Sequence, residues 1–417
     1  MDVARTRTSR PRPPPGGVAV TTQADPIDET GQDADRTERV SDSSGADVSA
    51  SELSVLAVTA FRPNEMYTSV SEMDANTTVV ALDADDGLGR RMLTTVRETW
   101  RALRTEDPDV LLLDCYETMG FLVTLLSLLA GVPVVARLVG DTWRILEEEG
   151  LQSARENRAP LRYVRYRLSL LLNAFVFAKA DGFVVVSKAL KEVVHERTGR
   201  PRERIAVVPV PLTRRMSSVG SASAARDALG IGEERVVLSV SNFLYEAKVA
   251  GAETIVQELE TVLGEESDLA LVLAGGGPYH DRLRSFLEDA IDDPETRRRV
   301  YAPGQVDGIA DLYALADVFV YVSHLDGYPR VVLEAQAATL PVVANDALGM
   351  RDQITDGETG YLIDPASPGE LRNRVRSLLA EPTERDRLGA NARWRVDHEN
   401  AADTVGAQLQ SFLSEFV

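Results

Sequence analysis

The sequence is short of lysine, cysteine, histidine and long apolar runs. Lysine occurs only at 179, 188, 191 and 248, while arginine is plentiful. One cysteine, Cys115, rules out an internal disulfide, and nothing points outside the cytoplasm. It lies in the apolar run Val110–Cys115 and reads as a small buried side chain. No apolar run reaches the ~18 residues of a membrane span. Met1–Arg12 is basic and proline-rich with no apolar stretch behind it, which argues against a secretory leader. The four histidines, His195, His280, His324 and His398, show no metal-ligand spacing; His324 alone stands beside a candidate loop. A net charge of −20 excludes a general nucleic-acid binder. Surplus acid with scarce lysine is a halophilic composition, suited to salt that screens self-repulsion.

What is present is a globular profile, 44% hydrophobic and 26% charged, over a length that holds two domains. Residues 1–52 are rich in Pro, Thr, Ser, Asp and Gly and cannot bury enough surface to offset chain entropy, so a disordered tail is expected. From Leu53, short β-branched runs alternate with helical stretches. Strands are expected at 53–59, 78–82, 110–113, 132–136, 183–186 and 205–208, with helices near 88–105, 117–130, 160–179 and 187–198. After a loop-like stretch, 211–223, strands recur at 236–240, 269–274, 299–301, 318–322, 341–344 and 360–363. Helices are expected there near 249–263, 279–291, 309–316, 329–338 and 368–380. Apolar strands separated by helices indicate parallel sheets covered on both faces. The expected fold is α/β: two Rossmann-like, doubly wound domains, 53–212 and 224–400, facing across a cleft. A C-terminal helix over 401–417 is expected to pack back on the first domain. Ligands of such sheets sit beyond the carboxyl ends of the strands.

The segment Ser323–Pro341 (SHLDGYPRVVLEAQAATLP) carries the strongest chemical signal. A strand runs into a turn with Asp326 and Gly327, Pro329 suits a helix opening, and Glu334 follows in the second turn. The helix start offers backbone N–H groups to an anion. Carboxylates to accept from hydroxyls and amides to donate to phosphate are what a sugar phosphate requires. In Ser239–Gly251 (SVSNFLYEAKVAG) another strand end leads through a loop to a helix, and Lys248 is expected in that loop, where a point charge can neutralise a diphosphate. LAGGGP, Leu273–Pro278, is a glycine run that permits either close backbone approach or a tight turn. Ala347–Asp352 and Asp356–Gly360 add a strand-end loop and a tight turn.

In order and spacing these segments, over about 235–395, resemble glycosyltransferase family 4, the retaining group 1 glycosyltransferases of the GT-B fold. That family carries two acids eight positions apart, matched by Asp326 and Glu334, a diphosphate lysine matched by Lys248, and a glycine turn matched by Gly275, Gly277 and Pro278. The resemblance implies that Glu334 holds the donor ribose and Asp326 the donor sugar. It implies that Lys248 and the amides near Tyr328, Arg330 and Val331 hold the diphosphate, with Asn242, Gly275, Gly277 and Gly327 also in the donor site. Gln305 and Val306 would face the base. The implied co-substrate is a UDP- or GDP-linked sugar, with no bound cofactor and no metal. The implied acceptor is a saccharide or a lipid-linked molecule.

This chain departs from the family at several positions. The first acid is Asp rather than Glu, Pro329 and Thr339 stand where Gly is common, and Ser241 and Asn242 occupy the place of an arginine. The first domain has AFRPNE (Ala60–Glu65) in place of a glycine-rich loop, and RLVGDTW (Arg137–Trp143) where a histidine is common. Asp141 and Arg137 are the candidates for the acceptor side; Asp141 serves equally as a helix N-cap. Arg155–Lys179 combines five arginines with an apolar helix, either a core helix with a basic end or a peripheral contact with anionic membrane. Two other classes fit the same architecture: a nucleotide-sugar epimerase, and a non-catalytic partner that only binds the nucleotide-sugar.

Overall fold

The computed structural model describes residues 20–22, 53–60, 63–81, 88–213 and 220–417. The expected disordered tail lies outside these residues apart from Val20–Thr22, a short strand (β1) pairing antiparallel with Thr78–Val80. The first domain continues with β2 Ser54–Thr59, β3 Asn76–Ala81, β4 Val110–Asp114, β5 Val134–Leu138, β6 Gly182–Val185 and β7 Ile205–Val207. Their order is β1-β3-β2-β4-β5-β6-β7, and all pairs after the first are parallel. Side chains alternate across the sheet. Leu111 and Leu113 enter one core with Phe183 and Val176, and Val110 and Leu112 enter the other with Val55 and Met66. Helices cover both faces, so β4 and β5 are buried along their whole length.

The second domain holds β8 Arg235–Val240, β9 Leu269–Ala274, β10 Val300–Gly304, β11 Val318–Tyr321, β12 Val342–Asn345 and β13 Tyr361–Ile363. The sheet is parallel in the order β10-β9-β8-β11-β12-β13. The strand order reverses between β8 and β11, and a crevice opens at the carboxyl ends of a sheet where its order reverses.

The carboxyl ends of the two sheets face each other. Gly327, after β11, lies where a Cβ would stand 2.9 Å from the Val139 carbonyl after β5. The Arg144 guanidinium donates to the His324 carbonyl at 2.6 Å, and the Lys188 amide donates to Asp352 Oδ2 at 2.7 Å. The chain crosses back after the helix Pro382–Glu399. Its last helix, Ala402–Leu413, places Val405, Leu409 and Phe412 in the first domain's core. Between those helices Asn400 donates to the Val210 carbonyl at 2.7 Å and accepts from the Leu212 amide at 2.6 Å.

The strands lie within a few residues of their expected places. Helices not foreseen are Pro63–Ser71, Ala222–Leu229, Pro294–Arg298, Met350–Gln353 and Pro382–Glu399, while the helix that Asp141 could cap runs from Thr142 to Glu156 and includes a π-helical stretch, Ile145–Gln152. Charged residues crowd 382–399 and mask its apolar positions Leu388, Ala392 and Val396. Among the described residues no helix is long and apolar enough to cross a membrane.

Candidate active site

Lys248 does not lie in the loop after β8, as its sequence position suggested; it sits in the first turn of the helix Glu246–Glu265. Gly251 follows one turn later. A Cβ there would collide with the Val322 carbonyl, so only glycine lets this helix lie so close to the end of β11. That approach brings Lys248 Nζ onto Asp326 Oδ2 and to 2.7 Å from the Tyr321 hydroxyl. The Tyr321 and Ser323 hydroxyls each donate to the same carboxylate oxygen at 2.7 Å. Lys248 and Asp326 therefore meet at the point where the strand order reverses. The lysine side chain is 7% exposed and the aspartate side chain 25%, so the carboxylate keeps an outlet to the cleft.

Burial alone would raise the Asp326 pKa. The Lys248 charge, then the hydrogen bonds from Lys248, Tyr321 and Ser323, outweigh it and hold the carboxyl below its ordinary value. Burial, then the charge of Asp326, pushes the Tyr321 hydroxyl well above the usual phenol range, so it remains a donor. A depressed carboxylate pKa contributes stability that is complete above the unfolded value, about 3.9, and is lost as pH falls through the folded value. Urea midpoints followed from pH 6 downward are expected to show wild type losing its advantage over Asp326→Asn only below about pH 4. A loss centred near pH 6 would contradict this.

The acidic loop is held from behind. Asn345, fully buried at the end of β12, accepts from the Ser323 amide at 2.8 Å and donates to its carbonyl at 3.0 Å. Gln353 donates to the Pro329 carbonyl at 3.0 Å. Pro329 caps the helix Arg330–Ala337 rather than entering its first turn. Glu334 Oε2 accepts from the Tyr313 hydroxyl at 2.8 Å, a partner on the helix Ile309–Leu315. Burial, then the Glu334 charge, raises the Tyr313 pKa well above the usual range. The helix turns off through Thr339 at φ 64°, left-handed backbone that strains a β-branched residue. The Tyr328 ring enters the first domain's core, and burial lifts its hydroxyl pKa to about 12; only its backbone can face the cleft.

Gly275 and Gly277 stand at φ 132° and 147°. Side chains there would meet the carbonyls of Ser241 and Phe243, so the backbone itself requires both glycines. The Gly275 amide donates to the Gly304 carbonyl at 2.8 Å. This brings Asn242, the glycine turn, and Gln305 with Val306 to one rim of the crevice.

On the facing domain, Asp141 Oδ1 accepts from the Arg144 amide at 3.0 Å and caps a short helix, so its carboxylate already has a structural task. Arg137, 3% exposed, lies 3.3 Å from Asp114 and 3.9 Å from Glu65. Glu65 in turn pairs with Arg330 across the cleft at 3.0 Å. Sequence reading missed Glu65, Tyr313, Tyr321, Ser323 and Asn345; their roles depend on partners in distant segments or on the fold of one loop. A cavity of about 620 Å³ opens beside His324, Asp346, Arg351 and Asp364, and Lys248, Asp326 and Glu334 do not line it.

Two family profiles match in succession. The Glycosyl transferase 4-like domain matches residues 46–211, and Glycosyl transferases group 1 matches residues 222–395. The chain belongs to the group 1 glycosyltransferases of family 4. Among curated relatives, D-inositol 3-phosphate glycosyltransferase of Xylanimonas cellulosilytica is 32% identical over 52% of this chain and 53% of its own. N-acetyl-alpha-D-glucosaminyl L-malate synthase of Bacillus anthracis is 25% identical over 57% of this chain and 60% of its own. The matched segments thus span about half to three fifths of these relatives. Among solved structures, HepE of Anabaena, in complex with UDP and glucose, superposes with a TM-score of 0.64 at 17% identity, covering 87% of this chain and 100% of that one. Sucrose-phosphate synthase of Thermosynechococcus elongatus gives 0.61 at 18% identity, covering 87% and 98%. Both likenesses establish the GT-B fold.

Proposed function

We propose that this group 1 chain transfers a sugar from a UDP- or GDP-linked donor to a hydroxyl of a saccharide or lipid-linked acceptor. The transfer retains anomeric configuration and uses no metal ion. The observation that supports it most strongly is the meeting of Lys248 and Asp326 at the strand-order reversal, opposite a second sheet's carboxyl ends. The donor lies on the second domain. Lys248 and the backbone amides of Tyr328, Arg330 and Val331 face its diphosphate, Glu334 its ribose, and Asp326 its sugar hydroxyls. Asn242 and the backbone of Gly275 and Gly277 form the rim, with Gln305 and Val306 toward the base. The acceptor enters over Val139–Trp143, where Asp141 holds the loop and buried Arg137 supports it.

In the reaction the bond from the anomeric carbon to phosphate oxygen breaks, and its electron pair leaves with the diphosphate. The acceptor oxygen bonds to the anomeric carbon on the same face, and its proton passes to a diphosphate oxygen. Lys248 counts most as the leaving group gains charge, because a preorganised cation strengthens its bond in the transition state. Closure of the cleft excludes water and suppresses donor hydrolysis. The working place is the cytoplasmic side, in high salt, with peripheral contact on an anionic membrane.

The test is a thermal-shift panel of UDP- and GDP-sugars on the full chain. A ligand at a hundred times its Kd adds about 2.7 kcal/mol, which raises Tm by roughly 5–10 °C for a domain of this size. One base class is expected to give that shift, and the nucleotides alone to give most of it. No shift with any nucleotide-sugar would reject the donor site.

A further inference from the structure

The helix Pro160–Lys179 buries one face only, through Ser169, Asn173, Val176 and Phe177. Its outer face shows Leu161, Val164, Leu168 and Leu171, exposed by 85%, 63%, 54% and 66%. These four recur three, four and three residues apart, so they form one stripe. The helix Glu117–Ala130, in contact through Phe121 and Phe175 with ring centroids 4.9 Å apart, adds exposed Leu128 and Leu129. Soluble monomers rarely leave so much apolar surface on adjoining helices.

The charge around this face is opposite to that of the chain. Between 155 and 179 stand five arginines and a lysine against one acid, Glu156, in a protein of net charge −20. By helical position Arg165 and Arg167 flank the stripe on its two sides. At the helix start, Arg155 and Arg158 rim a cavity of about 440 Å³ walled by Ala154, Ala159, Pro160 and Val164. Apolar walls beneath two guanidinium groups suit an acyl chain beneath a phosphate.

We propose that this face docks on the surface of a bilayer containing anionic lipid. The apolar stripe enters the acyl boundary while the arginines meet the headgroups. A second copy of the chain fits less well, because a two-fold contact would press the arginine cluster against itself. The docking helix also touches the cleft. Phe177 near its end packs on Trp143 with centroids 4.7 Å apart, next to Arg144, which reaches the His324 carbonyl. Val164 lies about 20 Å back along the helix at 1.5 Å per residue, so a docked chain holds the acceptor side of its cleft close to the headgroups. This inference rests on the membrane contact of the proposed function and assigns it a surface; its test reads vesicle binding and not transfer, so either can fail without the other.

The experiment is flotation of the full chain with phosphatidylcholine vesicles, with and without one third phosphatidylglycerol, at low and high salt. Wild type is expected to float with the anionic vesicles only, and more at low salt. Leu161→Ser/Leu168→Ser/Leu171→Ser is expected to cut the floated fraction roughly tenfold while keeping the wild-type Tm, since all three side chains are already exposed. Arg165→Glu/Arg167→Glu should lose anionic selectivity. Absence of flotation, unchanged flotation in both variants, or a dimer dissolved by the serine variant without any vesicle binding would overturn the proposal.

Discussion

Replacing Lys248 with alanine is expected to lower kcat by roughly 100- to 1000-fold, the loss seen when one preorganised donor to a developing anion is removed, or about 2.7–4 kcal/mol. Two effects need separating. In the free protein Lys248 is bonded to Asp326 and Tyr321, so the substitution also strips a cation from a largely enclosed carboxylate. Breaking a fully buried pair costs about 3–5 kcal/mol; here Asp326 is 25% exposed and keeps hydroxyl donors from Tyr321 and Ser323, so the stability loss falls below that range. Lys248→Ala/Asp326→Asn removes the orphaned charge. It is expected to recover much of the Tm and none of the turnover. Measured together, Tm and kcat divide the lysine's structural task from its chemical one. A folded Lys248→Ala protein that transfers sugar at the wild-type rate would remove Lys248 from the mechanism.

The second large effect belongs to Glu334, and it is expected in donor affinity more than in turnover. A charged hydrogen bond contributes about 1.5–3 kcal/mol, so Glu334→Ala should raise the donor Kd and KM by roughly 10- to 150-fold. Most of that loss should persist when the nucleoside diphosphate alone is titrated, because the ribose and not the sugar is the partner. Tyr313 holds Oε2 at 2.8 Å, so the carboxylate is already oriented before a ribose arrives. Glu334→Gln keeps an acceptor of the same reach but loses the charge, and should therefore fall between wild type and alanine. Glu334→Ala also removes the acceptor of a buried tyrosine hydroxyl, at about 1–3 kcal/mol. Tyr313→Phe alone reproduces that stability loss in part without changing Kd by the same factor. Calorimetric titration of the two variants distinguishes them, and equal nucleotide affinity in wild type and Glu334→Ala would dismiss the ribose contact.

The acids eight residues apart were legible because they are set by local chain geometry: a strand, a turn and a helix start carry both within one short segment. The strands were legible for the same reason, being short apolar runs that two covering layers of helix demand. What stayed hidden depends on segments far apart. Tyr321 reads as one more buried strand residue until the helix Glu246–Glu265 brings Lys248 onto it, 73 positions away in sequence. Glu65 reads only as the last residue of AFRPNE, the stretch standing in for a glycine-rich loop, yet the packing of two domains makes it the partner of Arg330. Lys248 lies on a helix and not in a loop because that helix starts at Glu246, with no side-chain cap to announce it. Asp141 shows the opposite case. Its pattern allowed a cap or a catalytic acid, and the bond to the Arg144 amide gives it the first task whatever else it does.

The return of the last helix to the first domain changes what the cleft can do when it opens. Two stretches of chain connect the halves, and Asn400 in one is bonded to the backbone of Val210 and Leu212 in the other. A body hung from two adjacent pivots swings readily about one axis and resists twisting or sliding. An opening and shutting of the cleft on such pivots retraces a single arc, and Arg330 returns to the same station opposite Glu65.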